Sequence, residues 1–377
     1  MKTILIFFLL FLGFLGNANS PAIEKTLEKA EKLMFLNPKV SFQLAEKIYK
    51  NNDLNKKSKL RLLFLMTNTS NMLQNPLNVI RYGNKALAIT NDDDVVTKIK
   101  ILGILGNTYQ SIKLNEKTRI YLDKAELLLS SPKIPDSLNY IKGNIYYLKA
   151  MNYFYSLDSN IALSYFDKAI NQYTSSKHPI AEINLKLAYL NRAFGLIEQK
   201  SFKQAMESLK LASINTKETV RPYPQNFVQL QDEFIELGKA KIYSIQKYPD
   251  LSNEILIKIL ERRKKSPVRD DIENDVYQIL ADNYLQKKDI KNHDHYQNLY
   301  LRRVAETNQD VAMWVNKLIV QEKLYNKTEK DIIFNKYIYL IISATIFFLS
   351  VIIYLLVKQL KIKQKRNLLE KQVLDHL

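Results

Sequence analysis

The chain has 377 residues, a formal net charge of +18, 46% hydrophobic residues, only 8 glycines and 10 prolines, and no cysteine. The length is ample for a sizeable core, and few chain breakers with strong apolar content read as mostly helical. The missing cysteines exclude disulfides, thiolate metal sites, cysteine nucleophiles and a lipid-modified N-terminal cysteine.

Lys2 precedes an apolar run from Ile4 to Leu12, and Gly16 and Ala18 supply small residues for a cleavage site. This pattern predicts a secretory signal peptide over 1–18, cut after Ala18. A first helical hairpin is expected from Ile23 to Phe35 and from Val40 to Tyr49, turning at Asn37-Pro38. A second runs from about Lys59 to Leu73 and from Leu77 to Ile89, broken by Asn75-Pro76, with Val79, Gly83 and Ala86 at close-packing spacing. The third carries Leu105-Gly106-x-x-Tyr109, then Thr118, Leu122 and Ala125. The spacing returns at Ala150, Tyr153, Ala162, Phe166 and Ala169, and again at Ala193, Leu196, Ala205, Leu209 and Ala212. Past Pro222 and Pro224 it weakens. Helices are expected from Phe227 to Gln246 and from Leu251 to Arg262, after which Leu280, Ala281 and Tyr284 restore its first half, and His293, Gln297 and Tyr300 stand in for its second. Small residues where two helices must approach, with large apolar ones a turn away, recurring every ~34–47 residues, specify a helical repeat. The expected fold is all-α, an α-solenoid of helical hairpins over 22–303, followed by a long helix and a single transmembrane helix.

Val304, Val311, Leu318, Tyr325 and Ile332 are spaced by seven. Of the companion positions only Trp314 is apolar, so 304–336 reads as half a heptad: a helix pairing across a dimer, or one packed on the last repeat. From Tyr337 to Val357 no charge interrupts an apolar run. At 1.5 Å per residue it matches the ~30 Å hydrocarbon core, with Tyr337, Tyr339 and Tyr354 near its ends. Lys358, Lys361, Lys363, Lys365 and Arg366 open a basic tail, 358–377. Signal peptide and positive flank together predict a single-pass protein of the cytoplasmic (inner) membrane, its array exported to the periplasm and its short tail in the cytoplasm.

The repeated motifs resemble the tetratricopeptide repeat (TPR) family over roughly Ile23 to Tyr300. The helices and loops are longer than the family's usual period, and its first-helix Trp is absent. The resemblance implies an extended peptide or partner helix bound on a concave face lined by first helices. Carried over residue by residue, that face includes Arg61, Phe64, Asn68, Asn71, Lys100, Asn107, Gln110, Asn144, Tyr147, Met151 and Tyr155. The site assignment rests on Arg61, Asn68, Lys100, Asn107, Gln110, Tyr147, Met151 and Tyr155: amides can hold a peptide backbone with donor and acceptor together, and the cations favour acidic ligands. Read for itself, a Tyr and Met stripe at helical spacing is more often a core face than a ligand groove.

Chemistry is not visible. His293 and His295 diverge by about 200° on a helix and have no third ligand, His376 has no nucleotide-binding partner domain, and no phosphate loop or nucleophile elbow occurs. No enzymatic activity, metal or cofactor is expected. The expected partners are a protein or peptide ligand, the lipid bilayer and, on the dimer reading of 304–336, a second copy, with no nucleic acid, the scattered Lys and Arg residues reading as a solvated surface. The layout resembles bacterial membrane-anchored TPR regulators, in which a cytoplasmic coil leads to an output domain that this sequence does not contain. Two functions follow: the sensory part of a signalling or transcription regulator, or an envelope scaffold or assembly adaptor with no transmembrane signalling.

Overall fold

The computed structural model describes residues 21–51, 54–131, 134–156, 158–213, 227–265 and 272–374. The expected signal peptide and the Pro222–Pro224 interruption lie outside them. The described chain forms two units, divided after Trp314.

The first unit is a run of antiparallel helical hairpins: α1 (Pro21–Leu33) with α2 (Pro38–Asn51), α3 (Lys56–Met72) with α4 (Pro76–Ile89), and α5 (Val95–Ser111) with α6 (Asn115–Leu129). After a short 3₁₀ turn come α7 (Asn139–Tyr155) with α8 (Ser159–Thr174), α9 (Pro179–Glu198) with α10 (Phe202–Ala212), and α11 (Phe227–Ile245) with α12 (Pro249–Lys265). Last, α13 (Ile272–Gln286) pairs with the start of α14 (Ile290–Leu374). Helix starts follow local chemistry. Asn55, Asn75, Asp94 and Asp158 accept from the backbone N–H three residues on, at 2.8, 3.1, 3.1 and 3.2 Å. Proline opens α4 and α9, where its missing N–H costs nothing.

Five of the turns inside the hairpins share one device. Gln74, Lys113, Lys200, Lys247 and Lys288 all have φ between 52° and 67°. Beside them Asn75, Leu114, Ser201, Tyr248 and Asp289 each donate a backbone N–H to the carbonyl five residues back, at 2.9–3.0 Å. This is the Schellman arrangement, which satisfies orphan carbonyls at a helix end and normally uses glycine at the left-handed position. Here the chain uses lysine four times and glutamine once.

The core is a succession of clusters along the stack. Ala125, Ala150, Ala162, Ala169, Ala193, Ala205 and Ala212 are fully buried, as are Leu105, Phe166 and Leu209. Close approach is most demanding at two glycines. A Cβ on Gly106 would stand 2.7 Å from Leu122 Cδ2, and one on Gly143 would stand 2.6 Å from the Tyr173 ring.

The second unit is the remainder of α14. Of the seven-spaced positions, Val304 and Val311 are half-buried and Leu318 buried. Polar Thr307 shares that stripe with Trp314. The side chains of Tyr325 and Ile332 lie outside the described residues. The expected membrane span is corrected: among the described residues no helix is long and apolar enough to cross a membrane. Within the expected span, the side chains of Ile352, Ile353, Leu355, Leu356 and Val357 lie outside the described residues. The inner-membrane localisation and the bilayer as a partner fall with the span.

Candidate functional site

First helices of four consecutive hairpins, α3, α5, α7 and α9, face a common cavity of about 740 Å³. Phe64, Asn68 and Asn71 enter from α3, Lys100, Gly103, Ile104 and Asn107 from α5, Asn144, Tyr147 and Leu148 from α7, and His178, Asn184 and Leu187 from α9 and its cap. Phe35, in the turn after α1, closes one end. Its floor is apolar, through Ile99, Ile141 and Ile145, and its rim is amide and phenol. A second cavity of about 570 Å³ shares Asn107, Tyr147 and Leu148 with the first and continues to Gln110, Met151 and Tyr155. Of the residues projected onto the concave face, all but Arg61 therefore line one or both cavities.

Arg61 is the exception. Its Nε and Nη2 donate to Glu31 at 3.1 and 2.8 Å, and its Nη1 donates to Glu24. The fork ties α3 to α1 and holds the guanidinium above its usual range, chiefly through the Glu31 bond. A cation with both carboxylates already in hand does not recruit an acidic ligand. The pairing was invisible in the sequence because the carboxylates lie 30 and 37 positions away.

The remaining polar groups differ in how far their hydrogen bonds are used. Asn144 Oδ1 accepts from Tyr173 Oη and from Asn184 Nδ2, both at 2.8 Å, which leaves the Asn144 amide hydrogens and the Asn184 oxygen for another partner. Asn68 donates to the Phe64 carbonyl of its own helix at 2.8 Å and keeps its oxygen. Among the described residues, the side chains of Lys100 and Asn107 have no hydrogen-bond or ion-pair partner. Tyr147 accepts from Asn191 Nδ2 at 2.9 Å, and burial pushes its phenol well above the ordinary range. His178 stacks on Tyr140 with ring centroids 4.0 Å apart, and its Nδ1 caps α9 by accepting from Ile180 N at 3.2 Å. No carboxylate lines either cavity among the described residues.

Asn184 and His178, of the fifth hairpin, and Tyr140, of the fourth, were not among the residues projected from the sequence. A signal was there: asparagine recurs at 68, 107, 144 and 184, one on each of the four first helices that line the cavity.

Outside the cavity lining, Lys149 centres a charge cluster whose carboxylates are partly exposed. Lys149, 4% exposed, donates to Asp123 at 2.6 Å and to Glu126, and Tyr165 Oη donates to Glu126 at 3.2 Å. Burial alone would pull the ammonium down, but the bonds to Asp123, Glu126 and Tyr165 outweigh it and hold the pKa above its usual value. The cluster joins α6, α7 and α8 and faces away from the cavities. Of the residues weighed for chemistry, His293 Nδ1 lies 3.0 Å from the Ala281 carbonyl and His295 packs edge-on against Tyr296. No group of three His, Asp or Glu among the described residues is placed to hold a metal.

No family model matches the sequence, and neither does any curated protein. Among solved structures, the chain is similar to the apo form of RapI, with 12% identity and a TM-score of 0.53, covering 78% of this chain and 99% of that one. BtubC from P. vanneervenii follows with 13% identity, a TM-score of 0.40 and coverage of 68% and 93%. The TPR2AB domain of yeast Sti1 in complex with pHSP90 gives 14% identity, a TM-score of 0.28 and coverage of 70% and 99%. At such identity the likeness to RapI concerns the fold alone: a TPR-type stack of helical hairpins.

Proposed function

We propose that this chain is a non-enzymatic adaptor or scaffold that binds a protein through an extended, acidic segment laid along the concave groove. The observation that carries the reading is the groove's composition. Four first helices each contribute an asparagine with hydrogen-bonding capacity left over, Lys100 stands among them with no partner among the described residues, and no carboxylate competes for it. A peptide backbone offers donors and acceptors at regular intervals, which amides satisfy in both directions. The adaptor reading replaces the transmembrane regulator because signalling across a bilayer needs a span, and none is found among the described residues.

The test is retention of a pooled library of acetylated, amidated decapeptides by the immobilised full chain. Acidic sequences should be enriched, and Lys100→Glu should lower their retention by about tenfold or more, the loss expected for one charge-assisted hydrogen bond. Retention of basic or apolar sequences instead, or indifference to Lys100→Glu, would reject the reading.

A further inference from the structure

The second cavity is not made by the repeats alone. One side is formed by the ends of α5 and α7, and the other by α14, at Thr307 and Val311. Lys113 Nζ donates to Asn308 Oδ1 at 2.9 Å, joining the turn of the third hairpin to a helix 195 positions away. Asn107, Tyr147 and Leu148 line both cavities, so the compartment beside α14 adjoins the first along the same helices. Within this covered part the buried oxygen of Gln110, Oε1, has no hydrogen-bond partner. A buried acceptor without a donor carries a penalty that a ligand N–H removes on binding. Lys113 uses one of its three N–H groups on Asn308, and no carboxylate lines the compartment among the described residues.

Resting on the groove reading above, we infer that α14 closes the groove into a tunnel and that one end of the acidic segment is threaded under it. A peptide N–H of that end donates to Gln110 Oε1, and a carboxylate lies on Lys113. A ligand so enclosed exchanges only when α14 lifts from the third hairpin. This distinguishes the site from an open groove, on which a peptide comes and goes freely.

The full chain provides its own reporters. Trp314 is the only tryptophan, and with no native cysteine an Asn115→Cys/Asn308→Cys pair can be bridged selectively by a flexible bis-maleimide. The probe is the decapeptide pool, offered with free and with amidated C-termini so that a terminal carboxylate is told apart from an acidic side chain. Bridging before the pool is added should cut retention at least tenfold, and bridging afterwards should slow release at least tenfold. Gln110→Leu and Val311→Arg should each lower retention about fivefold, and Trp314 emission should shift in Val311→Arg as α14 lifts. If Lys100→Glu abolishes retention while bridging, Gln110→Leu and Val311→Arg leave it unchanged, the tunnel is wrong and the open groove stands. If the unmodified chain retains no acidic peptide in either form, the groove reading fails and the tunnel with it.

Discussion

The concave groove and the last repeats, α11 to α13, use the same polar residue types in opposite ways. In the last repeats the amides satisfy one another. Asn283, fully buried, accepts from Ser244 Oγ at 2.5 Å and donates to Ser252 Oγ and Asn253 Oδ1, both at 2.8 Å. Beside them Arg263 and Glu233 form an ion pair at 2.9 Å, with only 2% and 1% of their side chains exposed, and Gln229 adds a bond to Glu233 at 2.9 Å. Within this network the polar groups are used by one another, although Asn274 Oδ1, also on α13, is buried without a hydrogen-bond partner among the described residues. In the groove, Asn144 and Asn184 bond each other once, and Lys100 and Asn107 not at all among the described residues. The difference teaches that an asparagine on a first helix has no fixed meaning. Facing the next helix it ties repeats together, and facing the superhelix axis it is available to a partner.

Breaking the satisfied side of this comparison should have the largest effect. Arg263→Met strands a buried Glu233 carboxylate and should cost about 3–5 kcal/mol. Contacts in a repeat stack are mostly between neighbours, so the loss should appear by hydrogen exchange in α11 to α13 while α3 to α8 keep their protection. Equal loss throughout would show a more cooperative molecule than this account describes.

A smaller loss should follow where fold and groove meet. Gly143→Ala drives a methyl into Tyr173, whose hydroxyl supports Asn144 at 2.8 Å. An overpacking cost of about 1–3 kcal/mol is expected in urea melts, together with weaker peptide retention. Gly106→Ala, against Leu122, should cost similar stability but leave retention intact.

Alkali sharpens the same boundary. Burial pushes the phenols of Tyr147 and Tyr173 upward, so the folded state holds their protons where the unfolded chain would release them. The stabilisation is complete below the ordinary phenol value near pH 10 and is lost as pH rises through the raised folded values. Ultraviolet titration should show these two ionising after the exposed tyrosines, as helical signal falls. Ionisation in step with the exposed rings would contradict their burial.

The smallest expected change is a gain. Lys200 holds φ at 58° without a role in either cavity, so Lys200→Gly should stabilise by roughly 0.5–1 kcal/mol. Lys113→Gly should relieve the same backbone strain but forfeit the bond to Asn308, so its net effect on the melt should be smaller. Identical gains would mean that bond contributes nothing.

Much of the stack was legible because it rests on local rules. Asn-Pro pairs marked the starts of α2 and α4, and the recurring alanines marked the close contacts, each of them fully buried. The family resemblance projected first-helix residues onto one face, and all of them but Arg61 line a cavity. What escaped was non-local or unconventional. The Arg61 fork depends on carboxylates of another hairpin. The Schellman turns were hidden because lysine, not glycine, occupies the left-handed position. The approach of α14 to Lys113 joins residues 195 positions apart, which no single window of sequence records.

The central claim is that the groove's polar side chains left unpaired among the described residues, Lys100 and Asn107, serve a partner and not the fold. It is tested most directly by peptide retention on the Lys100→Glu/Asn107→Ala double variant, compared with the unmodified chain at matched melting temperature. The account predicts a melt within about 0.5 kcal/mol of the original and acidic-peptide retention reduced to background. Undiminished retention by a normally folded double variant would contradict it.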